Sequence, residues 1–339
     1  MSELVEKKRS ALNWQLALKI AVTLAILGVI VAKYNWPKMW NELRNAEPRW
    51  IAYAFISIGI GYFCSAVRWR YLLQVQHVRL TLGKTWVMTM IGIFFNQCMP
   101  ASTGGDVIKI FYILKQAPDR KARAALSIGM DRILGLIAIL TVTLLLVPFE
   151  FRRLFDNPET RLFIIILASI LTLVFLGLAF LWLAPLHRLP AFVHRLWEKM
   201  PKRDVFESLY EGYHAHRLAI RPSLMAVLSA ALAVFPILTT GYLIAQSLHL
   251  DASYAQITIL FAMVLCSISL PISFGGHGVR EAAFVLLFKV FDMTRNGLPV
   301  SDETALACST LFLLLGVAWS LIGGVIYLCY SHALKAHDS

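Results

Sequence analysis

Ionisable residues follow two glycine pairs in an otherwise apolar chain. Asp106 and Lys109 come after Gly104-Gly105, and Arg280 and Glu281 come after Gly275-Gly276 and Gly278. A half-helix that starts at such a glycine turns the positive end of its dipole and its unbonded N–H groups toward the break. With a Lys or Arg alongside, that end suits a phosphate or a similar anion. The structural alternative is that Gly-Gly and Pro only let helices pack closely, as small residues do in membranes. Clustering of ionisable residues at both breaks favours a ligand.

Asp131 and Arg132 form a second group, flanked by Gly129 and Gly135 near the start of an apolar run. Charges inside a membrane segment are costly unless they pair or face a cavity, so they are candidate site residues. An edge ion pair with Arg123, less than three turns away, explains them equally well. Asn96, before the first break, has the donors and acceptor to satisfy unwound backbone. Arg68-Trp69-Arg70-Tyr71 ends an apolar run and reads as an interfacial anchor rather than a site. Gly-x-Ser-x-Gly, P-loop and His-Glu-x-x-His patterns are absent, so no enzyme is expected. His214-Ala215-His216 has no carboxylate or cysteine partner at ligand spacing, and Cys64, Cys98, Cys266, Cys308 and Cys329 sit in apolar runs without Cys-x-x-Cys spacing. Neither a metal nor another cofactor is expected.

The elements that position these residues are helices in a bilayer. The 339 residues are 58% hydrophobic and only 15% charged, well outside the balance of a soluble domain. Leu16–Lys33, Ile51–Val67, Leu126–Val147, Leu162–Ala184, Leu224–Leu248 and Ala305–Tyr330 are apolar runs of spanning length. Lys7, Lys8 and Arg9 precede the first run as in a signal peptide, but no small-residue cleavage site follows, so it reads as a retained span. The net charge of +12 lies in the membrane flanks rather than in a basic stripe with aromatics, which excludes nucleic acid as the expected partner.

With both termini placed in the cytoplasm, inside segments carry 19 Lys and Arg against 7 outside. That balance requires Trp86–Leu114 and Tyr254–Phe291 each to return to the face they came from. Both break at Pro-x-x-x-Gly-Gly, starting at Pro100 and Pro271, at a constant offset of 171, and a second arm of about a dozen residues is too short to cross. The sequence therefore predicts an all-α polytopic membrane protein with about six spans and two re-entrant helical hairpins. It is one transmembrane domain over residues 1–339. Repeat one covers about 51–147 with hairpin 86–114, and repeat two about 223–330 with hairpin 254–291. A basic cytoplasmic connector, about 186–222, lies between them. Hairpins that start from opposite faces make an inverted repeat, the architecture of many alternating-access transporters.

These residues carry a resemblance. Arg68-Trp69-Arg70, Asn96 with Pro100 and Gly104-Gly105-Asp106, Asp131-Arg132 with Gly135, and Leu270-Pro271 through Gly275-Gly276, Gly278 and Arg280-Glu281 recur in that order. The chain resembles the transmembrane flippase-like family related to the membrane domain of lysylphosphatidylglycerol synthases, from roughly Leu16 to Tyr330. The resemblance implies a multi-pass protein of the bacterial cytoplasmic (inner) membrane that translocates an anionic phospholipid or a lipid-linked envelope intermediate. With the residue reading above, the expected substrate site comprises Asn96, Gly104, Gly105, Asp106, Lys109, Asp131, Arg132, Gly275, Gly276, Gly278, Arg280 and Glu281, with Pro100 and Pro271 as structural breaks. Partners in keeping with it are an anionic phospholipid or polyprenyl-linked lipid, a second copy of the chain, or a separate enzyme. No soluble aminoacyl-transferase part follows before Ser339, so lipid aminoacylation by this chain alone is not expected. Two other readings remain: an accessory lipid-binding subunit of a separate enzyme, and a membrane-embedded transferase.

Overall fold

Long apolar helices dominate because a bilayer leaves no other partner for the backbone. The computed structural model describes residues 36–98, 104–116, 121–156, 158–183, 212–216, 218–269 and 278–337. The first apolar run, both Pro-x-x-x-Gly-Gly breaks up to His277 and most of the basic connector lie outside them. In chain order the helices are α1 (Trp36–Asn45), α2 (Pro48–Val75), α3 (Leu82–Cys98), α4 (Gly104–Gln116), α5 (Lys121–Leu146), α6 (Phe151–Asp156), α7 (Pro158–Leu183), α8 (Ile220–Ser247), α9 (Tyr254–Ser269), α10 (Val279–Val290) and α11 (Asp302–His337). A short 3-10 turn, Val147–Glu150, joins α5 to α6, and a two-stranded hairpin, β1 (Thr294–Arg295) with β2 (Leu298–Pro299), joins α10 to α11. Among the described residues, five helices are long and apolar enough to span: α2, α5, α7, α8 and α11. They coincide with five of the six expected runs.

Helix α2 and α8 form the central pair. They run antiparallel: Glu47 N–H donates to Ser247 O at 2.9 Å, and Ser57 Oγ donates to Pro236 O at 2.8 Å. Pro236 interrupts the hydrogen-bond ladder of α8 where its ring excludes a donor, and α2 packs into that place. Close approach depends on glycine. A Cβ on Gly61 would strike Ile237 and the Ala233 carbonyl, and one on Gly59 would strike the Trp319 ring of α11. Trp319 donates to Phe55 O at 3.0 Å and stacks on Phe55, so α11 is fixed to the same helix.

The four short apolar helices pair as α3 with α4 and α9 with α10, and each pair packs on the far half of the chain. Helix α3 lies on α11, where Gly323 and Gly324 meet Met90 and Phe94, while α9 lies on α5. The arms are 17, 13, 16 and 12 residues, hence about 18 to 26 Å long, shorter than roughly 30 Å of hydrocarbon.

The turns out of α2 and α8 share one construction. His77 and His249 both adopt positive φ, 57° and 55°. Val78 N–H then donates to Leu73 O at 2.9 Å and Leu250 N–H to Ala245 O at 3.1 Å, a left-handed helix termination in each case. Four residues after each histidine a hydroxyl caps the next helix: Thr81 accepts from Lys84 N–H, and Ser253 from Gln256 N–H.

On one face the bundle is closed by charge outside the spans. Arg295 of the β-hairpin donates from both terminal nitrogens to Glu42 of α1, each at 2.7 Å, and Lys38 approaches Glu303 of α11. The hydrogen bond from Arg295 holds the Glu42 carboxyl below its ordinary 4.5. A lowered carboxyl contributes stability above its unfolded value, and that stability is lost as pH falls through the folded value. Glu42→Gln should therefore lower the melting temperature at neutral pH, with the gap to the parent protein closing well below pH 4.5. Gly61→Ala should cost about 1–3 kcal/mol through overpacking at α2 and α8, whereas Gly83→Ala, with open space around it, should not destabilise. Thermal melts in detergent read both.

Candidate functional site

The first glycine pair sits where α4 crosses α3. Gly104 and Gly105 are buried at the start of α4, and a Cβ on Gly105 would overlap the Gly92 carbonyl. Asn96 Oδ1 accepts the Gly105 N–H at 2.8 Å, satisfying one of the four orphan donors of the new helix. Asn96 therefore holds backbone.

From α4, Asp106 and Lys109 project toward α2 and α5. Asp106 accepts from Arg132 of α5, with Nε at 2.9 Å and Nη2 at 2.8 Å. Lys109 Nζ lies 4.7 Å from the centroid of the Trp69 ring, a cation–π contact on a fully buried indole. Beside it Arg68 Nε donates to Asp131 Oδ1 at 2.6 Å, with both side chains largely buried. Gly135 leaves room for the Arg68 guanidinium, which a Cβ there would approach to 3.3 Å. The cluster thus gathers three cations and two carboxylates from α2, α4 and α5. Asp131 pairs with Arg68 rather than with Arg123.

This corrects the reading of Arg68-Trp69 as an interfacial anchor. Trp69 has no exposed surface, and Arg68 is a buried ion-pair partner 63 residues from its carboxylate. Arg and Trp at a span end look alike in sequence whether they face headgroups or a neighbouring helix. The cost of burying Asp131 was the available signal, because it demanded a cation from another element.

The two pairs differ in exposure. Arg68 and Asp131 side chains are 9% and 13% exposed; Asp106 is similar at 16%, and the difference lies in Arg132, which is 54% exposed. Arg132 lies seven residues inside the apolar stretch Ala125–Glu150, about 10 Å along the helix. A charge at that depth is costly on lipid and tolerable in a water-lined groove.

The second group is more enclosed. Gly278, at φ 82°, precedes α10, and its N–H donates to Glu281 Oε2 at 2.6 Å. Arg280 donates to Glu281 Oε1 and, through Nε, to Ser309 Oγ of α11 at 2.9 Å. Arg280 and Glu281 side chains are 8% and 12% exposed. The three groups satisfy one another, and Ser309 is a member that sequence reasoning missed. Gly275, Gly276, Pro100 and Pro271 lie outside the described residues. Among those described, the arms of one hairpin make no extensive packing with the arms of the other. No group of three or more His, Cys, Asp or Glu side chains among them is placed to hold a metal.

Arg68→Gln should strand the Asp131 carboxylate and cost about 3–5 kcal/mol, while Arg132→Gln, on a more exposed pair, should cost about 1 kcal/mol or less. Comparing thermal melts of the two variants checks this ranking.

The family described as the lysylphosphatidylglycerol synthase TM region matches residues 16–324, which include every residue of both groups. The UPF0104 membrane protein MJ1595 of Methanocaldococcus jannaschii is 20% identical over 285 residues, covering 81% of this chain and 84% of that protein. The match runs through five apolar helices of spanning length and the four shorter helices α3, α4, α9 and α10, so this multi-pass membrane chain belongs to the lysylphosphatidylglycerol synthase transmembrane-region family.

Proposed function

We propose that the protein is a lipid translocase that moves an anionic phospholipid or a lipid-linked envelope intermediate across the cytoplasmic membrane. The observation that carries this reading is Arg132, open to the surface inside an apolar span, paired with the largely covered Asp106 and backed by Lys109, Trp69 and the Arg68–Asp131 pair. Three cations against two carboxylates leave a positive balance at the start of α4, whose N-terminal dipole adds to it. An anionic head group in that groove would compete with Asp106 for Arg132, while the alkyl chains stay in lipid. Nothing in this exchange makes or breaks a covalent bond, and the reading is of a carrier rather than an enzyme.

An inverted repeat supports the same reading. Exchanging α2, α3, α4 and α5 for α8, α9, α10 and α11 maps α3 on α11 to α9 on α5. The counterpart spans α2 and α8 run antiparallel and end in the same histidine turn, 172 residues apart. On this view α3–α4 and α9–α10 are re-entrant hairpins from opposite faces. Rocking of one half on the other would alternate access to the groove. The charge bias of the loops supports a cytoplasmic position for both termini.

Full-length protein reconstituted in vesicles with headgroup-labelled phosphatidylglycerol should speed crossing of the label, measured by quenching from outside. Arg132→Gln should slow the initial rate about tenfold, equivalent to one lost charge-assisted hydrogen bond. Failure to speed any anionic phospholipid or polyprenyl phosphate would remove the translocase reading.

A further inference from the structure

The matching turns out of α2 and α8 have diverged in what they face. At the α8 turn the residue two after the histidine is Asp251. Its N–H donates to Thr294 O at 2.8 Å, and its Oδ2 accepts Gly297 N–H at 3.0 Å, so the β-hairpin sits over that turn. At the α2 turn the corresponding residue is Arg79, and it borders a cavity of about 420 Å³. Arg70, Gln74, His77, Arg79, Leu80 and Thr81 line it. The volume lies within the roughly 300–1,000 Å³ of small-ligand clefts.

The lining has two arginines, a histidine, an amide and a hydroxyl, with no carboxylate among the described residues. Arg70 Nε is buried without a hydrogen-bond partner, which is costly for a charged donor. Among the described residues neither Arg70 nor Arg79 makes an ion pair, although every other buried or half-buried cation discussed above is engaged by a carboxylate or an aromatic ring. Two arginines lining one cavity, with a capping hydroxyl on the same lining, supply the donor types that a phosphate oxyanion takes.

We propose that this cavity is a binding site for a phosphate group, separate from the Arg132–Asp106 groove. It sits where α2 leaves the apolar layer, the depth at which phospholipid phosphates lie, so the source favoured by its position is the headgroup of an anionic phospholipid. It requires no transport.

The test uses purified full-length protein in detergent with three soluble probes: dihexanoyl phosphatidylglycerol, glycerol phosphate and inorganic phosphate, titrated by calorimetry. Phosphatidylglycerol should bind, and Arg70→Gln/Arg79→Gln should weaken it about tenfold or more. Arg79→Gln alone, at an exposed side chain, keeps the fold out of question and should weaken binding in the same direction. The same titrations in an Arg132→Gln background, where the Arg132–Asp106 pair no longer contributes, should still show the loss on Arg70→Gln/Arg79→Gln, which separates the two sites. Tighter binding of the lipid than of glycerol phosphate assigns a headgroup, and equal binding of all three assigns free phosphate. Parent-like affinity for every probe in the double variant overturns the site.

Discussion

Burying Arg68 against Asp131 commits the rest of the first half. Neither charge is tolerable alone between helices, so α2 and α5 must meet at that height. Their contact leaves a buried platform, the Trp69 indole, and Lys109 of α4 rests on its face. The helix that bears Lys109 is thereby held a fixed distance from α2. Its first turn is fixed from the other side by Asn96 and by the Gly92–Gly105 crossing. What remains exposed is Arg132, held by the largely covered Asp106. A fully satisfied inner pair and an outer one exposed at Arg132 make a rigid wall with a charged rim.

The second half shows the same logic closed up. Glu281 serves both the Gly278 N–H and Arg280, and Ser309 completes the arginine. Every strong donor there has a partner within the protein. Such a group fixes α10 on α11 and keeps the chain after the glycines in place, as buried polar networks do when all members are satisfied. The two groups differ in exposure, above all at Arg132.

Much of this was legible in the sequence because membrane constraints are severe. Pro100 and Pro271 lie outside the described residues, but separate helices of 13 and 12 residues start after the two positions, where the sequence placed second arms of about a dozen. Five of the expected spans are helices of spanning length, starting three to five residues earlier than the apolar runs because their polar first turns extend past the hydrocarbon. Asp131 announced itself by its cost, but its partner did not, since Arg68 lies beside aromatic residues in the pattern of a headgroup anchor. The crossing at Gly92 was hidden too: one glycine in an apolar run reads as ordinary packing until the facing carbonyl is seen. The histidine turns were missed because His77 and His249 lie 172 residues apart, one step off the 171 of the breaks. A single extra residue in the first hairpin arm breaks the register.

The central claim is that the rim formed by Arg132 and Asp106 faces water inside the span rather than lipid. Thiol labelling tests it most directly, in a background with Cys64, Cys98, Cys266, Cys308 and Cys329 replaced. Arg132→Cys in intact vesicles should react with a membrane-impermeant thiol reagent, and soluble anionic headgroup analogues should slow that reaction. Leu145→Cys, an exposed position on the apolar length of the same helix, should stay unreactive. Arg132→Cys that is as inert as Leu145→Cys would contradict the account.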